Sequence, residues 1–187
     1  MKFLIVILSA LIAGISSQIV VPTYPLVKSL PTCDLEKLVG TWYTWSAIPN
    51  GYEPSQKCST VEVVLNKEGG FSATVSYISI LTGSTNKFNF SAYPIQGSRS
   101  QFDLKFQPLA LERNSVGIIL DTDYIHFYVL EMIQMAEDGS MLQYAWVLSK
   151  NATLDAQSCD RADHALELNG ISKTSLKRVS RYGCSLY

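Results

Sequence analysis

The sequence predicts an all-β protein: an eight-stranded up-and-down antiparallel barrel followed by one C-terminal α-helix. Three observations carry this. Eight short runs rich in β-branched and aromatic residues follow one another between residues 40 and 149, each closed by a turn signal. The connections between them are tight, which suits antiparallel neighbours better than alternating strand–helix units. A single run of helical character comes after the last strand, over residues 155–168.

The chain opens as a secretory signal. Lys2 is its basic start, residues 3–15 its apolar run and Ser16-Ser17 its small-residue cleavage zone. The run is shorter than the ~20 apolar residues of a membrane span, and no second one follows. Residues 1–17 are therefore expected to be removed and the protein to be secreted and extracellular. The full chain carries a net charge of −1; losing Lys2 takes this to about −2, one unit lower. Such a balance offers no basic footprint for nucleic acid. Residues 18–32 form an arm broken by Pro22, Pro25 and Pro31, which can be neither helix nor central strand. Residues 33–187 are left as the barrel domain.

The first strand, 40–48, starts at Gly40, runs through Trp42-Tyr43-Thr44-Trp45 and stops at Pro49. A polar loop with Asn50-Gly51 and Pro54 leads to strands at 58–65, 71–79, 87–93, 101–107, 115–121, 125–132 and 141–149. Gly69-Gly70, Thr82-Gly83-Ser84, Pro94 with Gly97, Pro108 and Asp138-Gly139 punctuate them. Asp155 suits the positive end of the helix, and Asn169-Gly170 stops it. Ala162, Ala165, Leu166 and Leu168 give that helix a modest apolar stripe.

Barrel strands alternate inside and outside, so one charged residue sets the parity of each. Glu62 outward sends Val61 and Val63 inward. Lys87 outward sends Phe88 and Phe90 inward and leaves Asn89 outside. Asp103 and Lys105 outward send Phe102, Leu104 and Phe106 inward. Glu131 outward sends His126, Tyr128 and Leu130 inward. Phe71, Ala73, Val75 and Tyr77 are the apolar set of their strand, and Tyr144 and Trp146 belong to the bulky set of the last. These residues are the expected ligand-lining set of a large, aromatic, almost uncharged interior. A filled core is the competing reading, and inward Ala73 favours a cup over it.

The order Gly40-Thr41-Trp42, Tyr52-Glu53, Lys57-Cys58, Asp121-Thr122-Asp123-Tyr124 and Ala145-Trp146-Val147-Leu148-Ser149-Lys150 resembles the lipocalin family, within it the apolipoprotein D and insect bilin-binding branch. The resemblance implies that Gly40 and Trp42 close the barrel base, that Thr122, Asp123 and Tyr124 form a structural turn, and that Lys150 stands where the family carries an arginine stacked on the tryptophan. Lysine keeps the charge and a cation–π option but loses the planar fork.

Cys33, Cys58, Cys159 and Cys184 make an even count, which suggests two bridges with three connectivities open. No Cys-x-x-Cys pair is present and the histidines are scattered, so no metal site is expected. The family likeness implies a bond from Cys58 to the C-terminal Cys184, leaving Cys33–Cys159. Strand direction agrees: the first strand spans roughly 30 Å between Cys33 and Cys58, and Cys159 follows the strand that returns to the closed end. Asn89 and Asn151 head glycosylation sequons.

No catalytic constellation appears: there is no Gly-x-Ser-x-Gly elbow and no phosphate loop. A lone inward His126 reads as a core residue more readily than as a base or haem ligand. With all four cysteines bridged no thiolate nucleophile is left. The expected function is a secreted carrier of a small hydrophobic molecule: a tetrapyrrole, a retinoid or carotenoid, a fatty acid or a sterol. No cofactor is required, although a bound pigment fits. The alternative is a secreted interaction or nutritive protein using the barrel as scaffold, its contacts carried by the 49–57 loop and the Pro-rich arm, with a homo-oligomer or a receptor as the partner. An enzyme is the weakest reading.

Overall fold

The computed structural model describes residues 19–53, 55–107 and 114–184; the expected signal segment, Pro54 and Pro108 lie outside them. In order come β1 (Ile19–Val21), a 3-10 turn (Leu35–Leu38), β2 (Gly40–Ala47), β3 (Gln56–Leu65), β4 (Phe71–Ser79) and β5 (Thr85–Pro94). β6 (Gln101–Gln107), β7 (Ser115–Thr122), β8 (Phe127–Met135), β9 (Met141–Ser149), α1 (Ala156–Leu168) and β10 (Lys177–Arg178) follow. β2 to β9 pair consecutively and antiparallel, and β9 pairs back onto β2, which closes an eight-stranded barrel. The expected fold class is the observed one.

The closing seam is short. Tyr43 faces Ser149 and Ala47 faces Trp146. Beyond it, β1 pairs with Met141–Gln143 of β9, and on the other edge of β2, where the pairing with β3 has ended at Tyr43, β10 pairs with Ser46 and Ala47. The arm lies along the body and is tied there by backbone and side-chain bonds. The Lys28 amide donates to Asn169 Oδ1 at 2.6 Å, Asn169 Nδ2 returns a bond to Lys28 O at 3.1 Å, and the Leu30 amide donates to Ile119 O at 3.2 Å.

Period-two alternation sorts the wall into two apolar cores. Inside the barrel lie Trp42, Phe71, Phe90, Phe102, Leu104, Phe106 and Tyr128. Outside, Ile118, Phe127, Val129, Ala145 and Val147 pack against Ala162, Ala165 and Leu166 of α1. Leu168, expected in that stripe, stays half-exposed. Asp155 caps the helix by accepting from the Ser158 amide at 2.9 Å. Arg161 then fastens it to the wall with two bonds to Asp121, at 2.8 and 2.6 Å.

Three expectations need correction. The strand expected at 125–132 begins at Phe127, so His126 lies before it, half-exposed, with Nδ1 2.7 Å from Asp123 Oδ2. The cause is the Asp123 side chain, which accepts from the amides of Ile125, His126 and Phe127 and holds these residues in a turn where strand parity does not apply. The Cys33–Cys159 bond is absent and both residues are free thiols. Cys33 packs on the inner core and Cys159 on the outer one, with the barrel wall between them. Cys58 and Cys184 are bonded, with Cα atoms 5.6 Å apart. Glu131 does not reach solvent. It accepts from Gln143 Nε2 at 2.7 Å, and burial pushes its carboxyl up to about 7.

Candidate functional site

One end of the barrel is sealed by its own strands. Gly40 adopts φ +108°, and a Cβ there would stand 3.2 Å from Lys150 Nζ. That open conformation lets the chain turn under the barrel and bring Trp42 inside. Trp42 is fully buried and donates from Nε1 to Leu38 O at 2.7 Å. It meets Tyr128 edge-on at 4.8 Å. Lys150 Nζ sits 4.1 Å from the centre of the Trp42 ring and reaches Val39 O at 3.2 Å, so the cation–π option is the one used. Thr122 Oγ1 donates to Phe127 O at 2.6 Å, and the Tyr124 hydroxyl accepts from the Asp34 amide at 3.1 Å.

The other end is filled by a loop. Asn50 Oδ1 accepts from the amides of Tyr52 and Glu53 at 2.9 and 3.0 Å. This Asx turn rolls the loop between β2 and β3 inward. The Tyr52 ring enters the barrel and stacks on Phe106, with centroids 5.1 Å apart, and meets Tyr144 edge-on at 5.9 Å. Its hydroxyl accepts from Gln134 Nε2 at 2.5 Å, and its carbonyl accepts from the Tyr77 hydroxyl at 3.3 Å. Glu53 is buried beside it. Its Oε2 accepts from Trp146 Nε1 at 2.8 Å and its Oε1 from Ser59 Oγ at 3.0 Å. Burial pushes this carboxyl up, against the bonds from Trp146 and Ser59.

Beneath Tyr52 an apolar cavity of about 40 Å³ remains, room for a few water molecules and not for a ring-sized guest. Val61, Val75, Phe88, Phe90, Leu104, Phe106, Tyr128, Leu130 and Trp146 of the expected set line it, joined by Tyr52, Glu53, Met132 and Leu148. Val63 and Phe71 line a smaller void of about 10 Å³ at the sealed end. Ala73, Tyr77, Phe102 and Tyr144 are buried in the same core without lining the larger cavity, and His126 is remote from it. Tyr52 and Glu53 are the residues sequence reasoning missed. A loop acid and tyrosine carry no alternation to betray them. The usable signal is Asn50, whose side chain favours a turn, opposite an inward tryptophan that needs an acceptor.

The free thiols are poor nucleophiles. Burial pushes Cys33 up to about 11, with Asp34 adding to it against a bond from Tyr124, and burial also raises Cys159. Neither lines the cavity. Asn89 and Asn151 are both exposed. Among the described residues no helix is long and apolar enough to cross a membrane.

The architecture is a closed barrel, sealed at one end by a strand tryptophan and plugged at the other by a loop tyrosine over a small apolar hollow. The Lipocalin / cytosolic fatty-acid binding protein family matches residues 39–182, and the chain belongs to that family. No curated protein matches it in sequence. Insecticyanin from the tobacco hornworm Manduca sexta shares the fold with a TM-score of 0.72 at 19% identity, over 89% of this chain and 90% of that one. Lobster apocrustacyanin A1 gives 0.69 at 19%, over 87% and 91%. The siderocalin Ex-FABP, described as functioning through dual ligand specificities, gives 0.60 at 14%, over 81% and 99%.

Proposed function

We propose that this protein is an exported carrier that holds a small hydrophobic molecule inside its barrel, in the manner of the apolipoprotein D and bilin-binding branch it resembles. The observation that carries the reading is Tyr52. A loop side chain, not the wall, occupies the mouth above an apolar hollow, so rotation of one residue converts a nearly full interior into a cup. The name of the matched family, with its fatty-acid binding members, and the dual ligand specificities of Ex-FABP support the same direction. Binding would be driven by apolar burial at roughly 25 cal/mol per Å², less the cost of association and of displacing the plug. Export rests on the signal-like segment and suits the Cys58–Cys184 bond. Asn89 and Asn151 are its glycan acceptors. The protein is read as non-enzymatic, with its two free thiols held protonated and away from the hollow.

The test has two arms. Natively purified protein is extracted with solvent for mass spectrometry, and a panel of hydrophobic fluorescent probes is titrated into the wild type and Tyr52→Ala. A co-purified apolar compound, or probe binding that tightens about tenfold when the plug is removed, supports the carrier. An empty extract together with no probe binding by either protein ends the reading.

The interaction reading has one observation of its own. Ile80 and Leu81 stand exposed at the tip of the β4–β5 hairpin, against the mouth loop through a 2.8 Å bond from the Ile80 amide to Ser55 O. Loss of partner capture in an Ile80→Ser, Leu81→Ser protein that keeps probe binding would favour it.

A further inference from the structure

We infer that the cup selects a hydrophobic amine, an apolar ring-bearing body with a cationic end, and rejects carboxylate ligands, with Glu53 as the residue that receives the ammonium. This inference rests on the carrier reading and specifies its ligand class.

The argument starts from charge. Among the described residues that line the cavity, Glu53 alone carries a carboxyl and none carries a basic group. An anionic headgroup would therefore enter a dry aromatic space with no cation to meet it and with Glu53 at the mouth, an arrangement that low polarity makes costly. A cation meets the opposite situation. Glu53 is buried without an ion-pair partner among the described residues. Trp146 Nε1 and Ser59 Oγ donate to it, one on each oxygen, and the Gln56 and Asn50 side chains donate as well; all four are neutral donors, so an ammonium would bring the first opposite charge to a group that already borders the hollow. Phe88, Phe106 and Trp146 add ring faces that attract a desolvated cation. Shape agrees. The guest must fill the position of the Tyr52 phenol between Phe106 and Tyr144, where a planar ring is the native occupant. Asn50 holds the Glu53 backbone in place through its own bond, so the acid stays at the mouth when the tyrosine side chain turns out.

The groups facing Glu53 are Trp146 of β9, Ser59 and Gln56 of β3, Tyr77 of β4, and Asn50 and Tyr52 of its own loop. Of these only the tyrosines titrate, and burial, together with the nearby Glu53 charge, pushes Tyr77 up. A change in amine affinity above the ordinary glutamate range that the alcohol does not share thus reports the acid, since titration elsewhere, such as that of Glu131 on the outer face, affects both guests alike.

Calorimetry with phenylbutylamine, phenylbutanol and phenylbutyrate, three guests with one body and different ends, tests this on the full-length protein. The amine is expected to bind more than about tenfold tighter than the alcohol, with the acid weakest. Amine affinity should rise with pH as Glu53 ionises while alcohol affinity stays level. In Glu53→Gln the amine-to-alcohol ratio should collapse towards one. If that variant does not fold, the wild-type pH series decides alone. Phenylbutyrate binding as tightly as the amine, or a flat amine profile, overturns the inference and leaves the carrier reading standing. Failure of all three guests and of the probe panel removes the carrier reading and this inference with it.

Discussion

The two ends of the barrel are closed by opposite means. At the base, Trp42 belongs to a barrel strand, is wholly buried, and is held by its own turn through Leu38 O and from outside by Lys150. At the mouth, Tyr52 and Glu53 belong to a connecting loop and are held by side-chain hydrogen bonds from Gln134, Trp146 and Ser59. A wall residue cannot leave without opening the sheet. A loop residue can leave by turning a side chain and exchanging polar bonds with water or a guest. The base is closed by the wall itself and the mouth by a loop side chain.

The largest expected effect tests whether the mouth is merely weak. Cys58, at the start of β3, ties the tail to the rim through Cys184, 126 positions away. Replacing both by serine should lower unfolding free energy by roughly 4–5 kcal/mol in the chain-entropy account, read by denaturant titration. An unchanged midpoint would mean that the rim needs no staple.

Next is the contrast between the closing aromatics. Trp42→Ala should cost about 3–5 kcal/mol, while Tyr52→Ala should cost much less and increase probe binding. Equal destabilisation with unchanged affinity in both would erase the distinction between the ends.

Smaller effects come from pH, with opposite signs at the two ends. Although partial burial pushes Asp123 up, the bonds from His126 and the amides of Phe127 and Ile125 outweigh it and hold the carboxyl down to about 2. Its contribution is present above the ordinary aspartate range and is lost as pH falls towards about 2. Glu53 is raised by burial. Its protonated form fits the fold, so mouth stability is complete below the ordinary glutamate range and declines as pH rises through the elevated value. Hydrogen exchange, corrected for its intrinsic pH dependence, should show loop 49–57 loosening on the alkaline side and turn 122–127 on the acid side. Parallel trends would contradict the assignment.

The smallest effect belongs to Lys150. Lys150→Ala should cost about 0.5–1 kcal/mol, the worth of a surface cation–π contact. Lys150→Arg should retain it, measured by thermal unfolding.

What was legible in the sequence divides along the same line. Strand alternation placed the wall residues, because Glu62, Lys87, Asp103 and Lys105 pin parity over stretches of regular backbone. The same logic failed at His126, where the Asp123 turn and Tyr124 at φ +64° break the period before β8 begins. Tyr52 and Glu53 were illegible as site residues because a loop's inward roll is set by distant partners, Gln134 and Trp146, and not by neighbours. The Cys58–Cys184 bond agreed with the family likeness. Cys33 and Cys159 could not be excluded as a pair from spacing alone, since only the folded wall shows that they stand on different sides of it. Glu131 set the parity of β8 as expected, yet the arm that passes its face was invisible to strand-by-strand reading.

The incomplete pairing of β2 with β9 and with β3 bears on how the molecule behaves in a crowd. Left bare, Met141–Gln143 of β9 and the β3-facing edge of β2 at Ser46–Ala47, past the Gly40–Tyr43 stretch that pairs with β3, would present unpaired amides and carbonyls, the template on which a second chain adds a strand. Ile19–Val21 and Lys177–Arg178 occupy both rows. The occupants are themselves poor templates, one cut short by Pro22, which has no amide to donate, and the other made of two cations. The segments on either side of the barrel thus serve as stoppers against aggregation. A proteolytic clip that frees the arm exposes an adhesive edge on a protein whose interior is still intact.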